Sequence, residues 1–178
     1  MNAFTSLASD RRSAARSFGS CTETDRLSSL DPFAARYGRA LPLALRAHAA
    51  GMSWDEFTTT YAPQNGPLHL GGWSAAALTG GGLCAYEATF TLGGSIHRSA
   101  SVATGPVSAM TGMIHELGFR LEIRSFHRQD MGECHATFLL CEAHDERSCW
   151  VMGGLGATAA ESTLRAMTAG INRLYGER

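Results

Sequence analysis

The sequence predicts an α+β protein made of two β-β-β-α repeats, with an antiparallel sheet and the helices on one face, preceded by a short helical segment. The first observation is a recurring triplet, Ala88-Thr89-Phe90 and Ala136-Thr137-Phe138, that each time follows a cysteine and precedes an Arg-Ser pair. A duplicated unit of strands and a helix buries its apolar faces against its twin or a second subunit.

The second observation is that two predicted helices share one apolar spacing. Steps of three and four residues place such side chains on a single stripe of an α-helix. The two stripes are Val107, Met110, Ile114 and Leu117 in the first helix, and Leu164, Met167, Ile171 and Leu174 in the second.

Residues 1–30 are rich in Ser, Ala, Arg and Thr and show little apolar periodicity. Such a segment buries too little surface to offset its ordering entropy, so we expect a disordered tail. Residues 31–63 are predicted to form a helical linker. Asp31 and Pro32 begin its first helix, residues 43–48 form its second, and a Ser53/Glu56 capping box begins a third that ends near Tyr61.

Residues 64–178 are predicted to hold the two repeats, at about 73–118 and 119–178. In the first repeat, strands at 83–92 and 96–103 flank a Gly93-Gly94 hairpin turn, and a helix runs from residue 106 to Leu117. In the second repeat, strands are predicted at 120–127, 134–143 and 149–152. A last helix follows at 159–175, opened by a Thr158/Glu161 capping box.

Composition limits the classes of function. Fifteen basic and sixteen acidic residues give a net charge of −1 without a basic stripe, which argues against nucleic acid or an anionic membrane as a partner. No apolar run approaches the roughly 20 residues that span a bilayer. Five cysteines without a C-x-x-C pair argue against a disulfide framework. We therefore expect a soluble, cytoplasmic protein in a reducing compartment.

Metal, cofactor and common catalytic signatures are missing from the sequence. Cys134, His135 and His144 lack zinc-type spacing, and we expect small buried thiols and surface imidazoles instead. The glycines at 153, 154 and 156 lack dinucleotide-loop spacing, and the hydrolase, zinc-protease and phosphate-loop motifs are absent. We expect no cofactor.

The turn at residues 103–108 delivers the chain directly into the first repeat's helix. Unpaired amides and the positive end of a helix dipole favour a carboxylate at such a position. A plain helix cap explains the same residues, and both interpretations remain open at this stage.

From Ser53 to Tyr175 the chain resembles the C-terminal part of 2-isopropylmalate synthase. In that family a helical linker precedes a regulatory domain of two β-β-β-α units, which dimerises and binds leucine as a feedback inhibitor. The residues that carry the likeness are Ser53-Trp54-Asp55-Glu56-Phe57, Tyr61-Ala62-Pro63, Gly66-Pro67-Leu68, Gly105-Pro106-Val107, Gly118-Phe119, Trp150, Leu164-Arg165-Ala166 and Ile171-Asn172-Arg173.

The resemblance implies a stand-alone regulatory homodimer that binds leucine or a related branched-chain amino acid or acid. It would modulate a catalytic partner docked through the linker. The family's barrel needs about 250 residues, so we expect no synthase activity from these 178 residues. Ala103-Thr104 replaces the family's usual Gly-Asn, and this difference weakens the expectation that leucine itself is the ligand. The implied ligand-binding residues are Ala103, Thr104, Gly105, Val107, Ser108, Ile123, Phe126, Cys134 and Ala136.

Two alternatives belong to other classes of protein. One is an enzyme in its own right that acts on a small carboxylic or acyl substrate, with His127, Glu133, Cys134 and His135 as acid, base or nucleophile. Strand alternation places Glu133 and His135 on one face and Cys134 on the other, which opposes a compact Cys-His pair. The other alternative is a purely structural dimerisation partner with a closed pocket.

Overall fold

The computed structural model describes residues 31–79 and 81–176; the predicted tail at 1–30 lies outside this range. The chain begins with three short helices, α1 (Pro32–Tyr37), α2 (Leu43–Ala49) and α3 (Trp54–Tyr61). The Asp31 carboxylate is buried and accepts hydrogen bonds from the amides of Phe33, Ala34 and Leu41 at 2.8–3.0 Å. The predicted cap at Asp31 and the capping box at Ser53 and Glu56 are both confirmed.

Two β-β-β-α units follow, which confirms the predicted α+β class and element order. The first contains β1 (Leu68–Ala77), β2 (Cys84–Leu92), β3 (Ser95–Ala103) and α4 (Pro106–Glu116). The second contains β4 (Glu122–Asp130), β5 (His135–Glu142), β6 (Ser148–Gly156) and α5 (Ala159–Tyr175). The strands form two antiparallel sheets, in the orders β1-β2-β3 (the first sheet) and β4-β5-β6 (the second sheet).

One apolar core, the repeat core, contains side chains of both sheets and of α4 and α5. Helix α5 packs on β5 and β6 and also contacts β1, whereas α4 packs on β3. Met110 and Ile114 of the first predicted stripe are fully buried in this core, and Val107 and Leu117 pack against it in part. The predicted stripe of α5 is buried along its whole length at Leu164, Met167, Ile171 and Leu174.

A separate core, the linker core, covers the other face of the second sheet. Phe33 of α1 and Phe57 of α3 are fully buried there with Phe138 of β5, and the Phe33 and Phe138 rings meet edge-on at 5.1 Å. Arg173 of α5 donates to the Trp150 carbonyl at 2.7 Å, and its guanidinium lies 4.8 Å from the Tyr61 ring. Residues 31–63 are therefore folded onto the second sheet.

The recurring triplet does not occupy equivalent positions in the two repeats. Ala88 and Phe90 point into the repeat core, whereas Ala136 and Phe138 point into the linker core on the far side of the second sheet. Side chains alternate between the faces of a strand, so a register difference of one residue exchanges the faces. The two repeats therefore share the order of their elements, but the two matching triplets do not occupy equivalent positions in the structure.

The start of α5 differs from the predicted capping box. Thr158 Oγ1 accepts from the Glu161 amide at 3.1 Å, as predicted. The Glu161 carboxylate instead accepts from the amide of Ala157, at 2.9 Å, and not from that of Thr158. Two amides at the start of the helix are still satisfied, but the reciprocal contact lies one residue earlier in the chain.

Candidate functional site

The turn into α4, predicted to hold a ligand carboxylate, lies at the surface. Gly105 is the N-cap of α4, with no side-chain hydrogen bond to the cap and an extended backbone (φ −165°) that any residue adopts. A Cβ built on Gly105 meets no atom within 4 Å. Thr104 and Ser108 are exposed, whereas Ala103 is buried in the repeat core. The turn is thus open to a ligand but does not enclose one.

The remaining predicted ligand residues lie on both faces of the second sheet. Ile123 and Phe126 pair with Cys141 and Leu139, whose side chains point into the repeat core. Ala136 is fully buried in the linker core on the opposite face. A ligand that contacts Phe126 therefore cannot reach Ala136 while the sheet is intact. Val107 packs in part against the repeat core, and Cys134 is partly buried in the turn between β4 and β5.

One residue considered for catalysis, His127, forms a side-chain hydrogen bond, and its partner, Ser125, was not among the predicted candidates. Ser125 Oγ and His127 Nε2 are 3.0 Å apart on β4. Nδ1 of His135 is buried without a hydrogen-bond partner, and Glu133 is exposed. Within residues 31–79 and 81–176, no carboxylate is hydrogen-bonded to His127 and no group of three or more His, Cys, Asp or Glu could hold a metal ion.

A cleft between the two repeats was not predicted from the sequence. It has a volume of about 580 Å³, which lies within the range of roughly 300–1,000 Å³ typical of small-molecule sites. Its walls are β1 of the first repeat, β6 and α5 of the second, and the end of the linker. Its lining residues include Gln64, Leu70, Trp73, Met152, Gly154, Thr158, Glu161, Leu164, Arg165 and Thr168.

Non-local contacts fix the walls of this cleft. The buried Asn172 side chain accepts from the Leu68 amide at 2.9 Å and donates to the Leu68 carbonyl at 2.8 Å, which joins α5 to β1. A Cβ on Gly153 would lie 2.3 Å from the backbone carbonyl oxygen of Ser162 and from the amide of Ala166. Glycine there lets β6 approach α5, which gives the glycine-rich end of β6 a packing role.

The cleft combines one ion pair with an apolar wall. Arg165 Nη2 lies 2.5 Å from Glu161 Oε1, and the two side chains are 52% and 37% exposed. Leu70 and Trp73 supply the apolar side, and the Trp73 ring is stacked at a tilt on Tyr86, 5.3 Å away. The charged pair complements a small molecule that carries a carboxylate or an ammonium group, and the apolar wall complements an aliphatic tail. None of the nine predicted ligand residues lines this cleft.

No protein-family model matches the chain, and a comparison with curated proteins finds no significant match. In the part of the chain that the structure describes, no helix is both long enough and apolar enough to cross a membrane.

Proposed function

We propose that the chain is a stand-alone regulatory homodimer, similar in role to the allosteric domain of 2-isopropylmalate synthase. It binds leucine or a related branched-chain amino acid or acid and modulates a catalytic partner. The observation that supports this proposal is the architecture: a helical linker precedes two β-β-β-α units, which meet at a cleft of ligand size.

The cleft offers the chemistry that an amino-acid ligand needs. A guanidinium carries five N–H donors, so Arg165 can bind a ligand carboxylate while Glu161 accepts from its ammonium group. An exposed i,i+4 ion pair contributes only about 0.3–0.5 kcal/mol. Rearranging the Arg165–Glu161 pair around a ligand therefore costs little. The aliphatic tail would lie against Leu70 and Trp73.

The predicted turn remains the second candidate location for the ligand. Thr104 and Ser108 are exposed there, so a pocket at the turn needs a second copy of the chain to close over it. The two locations are distinguishable, because the cleft lies within one chain and the turn pocket depends on the dimer.

The outward face of the first sheet supports self-association. Strands β5 and β6 of the second sheet are largely buried on both faces, whereas the first sheet leaves Ile96 75% and Val102 58% exposed on the side away from the repeat core. Glu87 and Arg98 lie on the same face as Ile96 and Val102, and neither forms an ion pair with another described residue. In a two-fold dimer built on this face, Glu87 of each copy can pair with Arg98 of the other.

Docking of a catalytic partner through the linker has to use the linker's outer surface, because its apolar side is buried against the second sheet. Leu43 of α2 is 78% exposed and is the strongest candidate contact. We expect Leu43→Lys to weaken co-purification with a barrel-only synthase, whereas His48→Lys, at an exposed position on the same helix that is not adjacent to Leu43, preserves it. Equal retention by both variants would contradict linker docking.

Thermal unfolding with leucine, isoleucine, valine and their 2-oxo acids tests ligand binding. A ligand at about 100 times its dissociation constant adds roughly 2.7 kcal/mol if it binds only the folded state. Arg165→Gln should remove the stabilisation if the cleft is the site, and Gly105→Val should remove it if the turn is the site. Arg128→Gln, an exposed arginine outside the cleft, is the matched control. If no ligand raises the melting temperature, the structural alternative is favoured.

The hydrogen bond between Ser125 and His127 favours the enzymatic alternative. A serine beside an imidazole is the minimal arrangement for activating a hydroxyl as a nucleophile. Hydrolysis of a small acyl ester that is lost in both Ser125→Ala and His127→Ala would support an enzyme. Turnover that survives both substitutions would exclude this pair as its origin.

A further inference from the structure

Two cysteines face each other across the hairpin that joins β5 to β6. Cys141 of β5 and Cys149 of β6 are direct partners in the antiparallel register, and both are free thiols. Residues directly opposite in such a pair have Cα atoms about 4.5–5.5 Å apart. That separation lies inside the range of about 4.4–6.8 Å that disulfides span. The backbone therefore already has the spacing of a cross-strand disulfide.

The two thiols differ in access. Cys141 is fully buried in the repeat core, whereas Cys149 packs against that core and is partly exposed. Burial raises the pKa of both thiols, most strongly that of Cys141. The guanidiniums of Arg173 and Arg147 oppose this rise at Cys149 by lowering its pKa. Cys149 is thus the thiol that an oxidant reaches and that ionises first, and the thiolate is the reactive form.

We propose that Cys141 and Cys149 form a site of reversible oxidation, at which hydrogen peroxide joins β5 to β6 by a disulfide. The Cys149 thiolate attacks the peroxide and breaks its O–O bond, which gives a sulfenic acid and, after proton uptake, one water. The Cys141 thiol then loses its proton, and its sulfur displaces hydroxide from the sulfenic sulfur as a second water. Two thiols are oxidised, and one hydrogen peroxide is reduced to two waters.

The disulfide would also change the contact between β5 and α5. A Cβ on Gly170 would lie only 2.9 Å from Cys141 Sγ, so this sulfur packs closely on the backbone of α5. Turning the sulfur toward Cys149 withdraws it from that contact. Helix α5 forms one wall of the cleft between the repeats, so oxidation is positioned to alter that wall. The disulfide itself does not depend on the proposed ligand.

The chain contains its own controls for a test. Cys84 and Cys134 are partly buried free thiols like Cys149. Cys84 is paired with Ala77 and Ala103, and Cys134 lies outside the strands, in the turn before β5. Cys21, which lies outside the described residues, is replaced by serine so that it does not compete. The remaining four thiols can then be followed individually after hydrogen peroxide treatment of the folded protein, by alkylation and mass spectrometry of a non-reduced digest.

We expect a peptide linked through Cys141 and Cys149, loss of those two thiols together, and their return with dithiothreitol, while Cys84 and Cys134 stay alkylatable. In Cys149→Ser, a change at a partly exposed position, no linked peptide should form and Cys141 should remain a thiol. Amide exchange in α5 should differ between the oxidised and reduced forms. Oxidation of Cys149 to a sulfinic acid with Cys141 unchanged, or disulfides scrambled among all four cysteines, would overturn the proposal.

Discussion

Gly153→Ala tests whether the close approach of β6 to α5 holds the second repeat together. The added methyl group would lie 2.3 Å from backbone atoms of both Ser162 and Ala166. Neither atom can rotate away, because both belong to the backbone of a buried helix. Relief requires α5 to move off the sheet, which would also disturb the Asn172 hydrogen bonds to Leu68.

The expected magnitude follows from the cost of overpacking. Extra methyl groups in well-packed cores typically cost about 1–3 kcal/mol, and a contact with two backbone atoms belongs at the upper end, near 3 kcal/mol. For chains of about 150–250 residues, 1 kcal/mol lowers the melting temperature by roughly 2–4 °C. Gly153→Ala should therefore lower it by roughly 6–12 °C.

Gly105→Ala provides the matched control, because the same methyl group meets no atom within 4 Å and the backbone is extended. Loss of unfolded-state entropy favours alanine there, whereas N-cap preference favours glycine. These opposing effects should leave the free energy of unfolding within about 1 kcal/mol of the parent. Urea denaturation of both variants, with the slope m compared, measures the difference. If Gly153→Ala costs no more than Gly105→Ala, the close approach is not a determinant of stability.

Three further predictions concern the dimer face, the junction between repeats and acid stability. Glu87→Arg and Arg98→Glu should each weaken self-association in light scattering, and mixing the two variants should restore it; a mixture that stays monomeric would contradict the proposed face. Asn172→Ala should lower the free energy of unfolding by about 2–4 kcal/mol in urea, because the buried amide and carbonyl of Leu68 both lose their partner, whereas the exposed Gln64→Ala should cost under about 0.5 kcal/mol. Arg124 lowers the pKa of Glu142 through their hydrogen bond. The pair's contribution to stability is therefore complete above the ordinary glutamate pKa and is lost as the pH falls through the lowered pKa of Glu142. Glu142→Gln should make the free energy of unfolding fall less steeply at acid pH, and an unchanged acid dependence would show that the pair contributes nothing.

Features that depend on neighbouring residues could be predicted from the sequence. The Ser53/Glu56 capping box, the Gly93-Gly94 hairpin and the two helical stripes each involve residues a few positions apart, and the physical rules for them need no knowledge of the fold. Both glycines of the hairpin adopt positive φ, at 56° and 81°, as such a turn requires. The α+β order followed from these local signals.

The cleft and the faces of the strands could not be predicted in this way. The Asn172 contact joins residues 104 positions apart, and no local pattern indicates it. The register of β5 is similarly non-local, because most of its residues are buried, none is exposed, and a strand covered on both faces loses its alternating pattern. The glycines at the end of β6 could have indicated the close approach of β6 to α5, because closely spaced glycines also mark sites where two backbones meet.

The linker core changes where the autonomous folding unit of this protein begins. Phe138, Trp150 and Met152 present an aromatic and thioether surface that α1 to α3 cover. A fragment that starts at residue 64 would expose this surface to water, and contiguous apolar patches of that kind promote aggregation. The shortest version of the chain that folds and stays dispersed should therefore begin before Phe33, at Asp31 with its buried cap. The helical segment would then be an integral part of the folding unit that contains the second repeat.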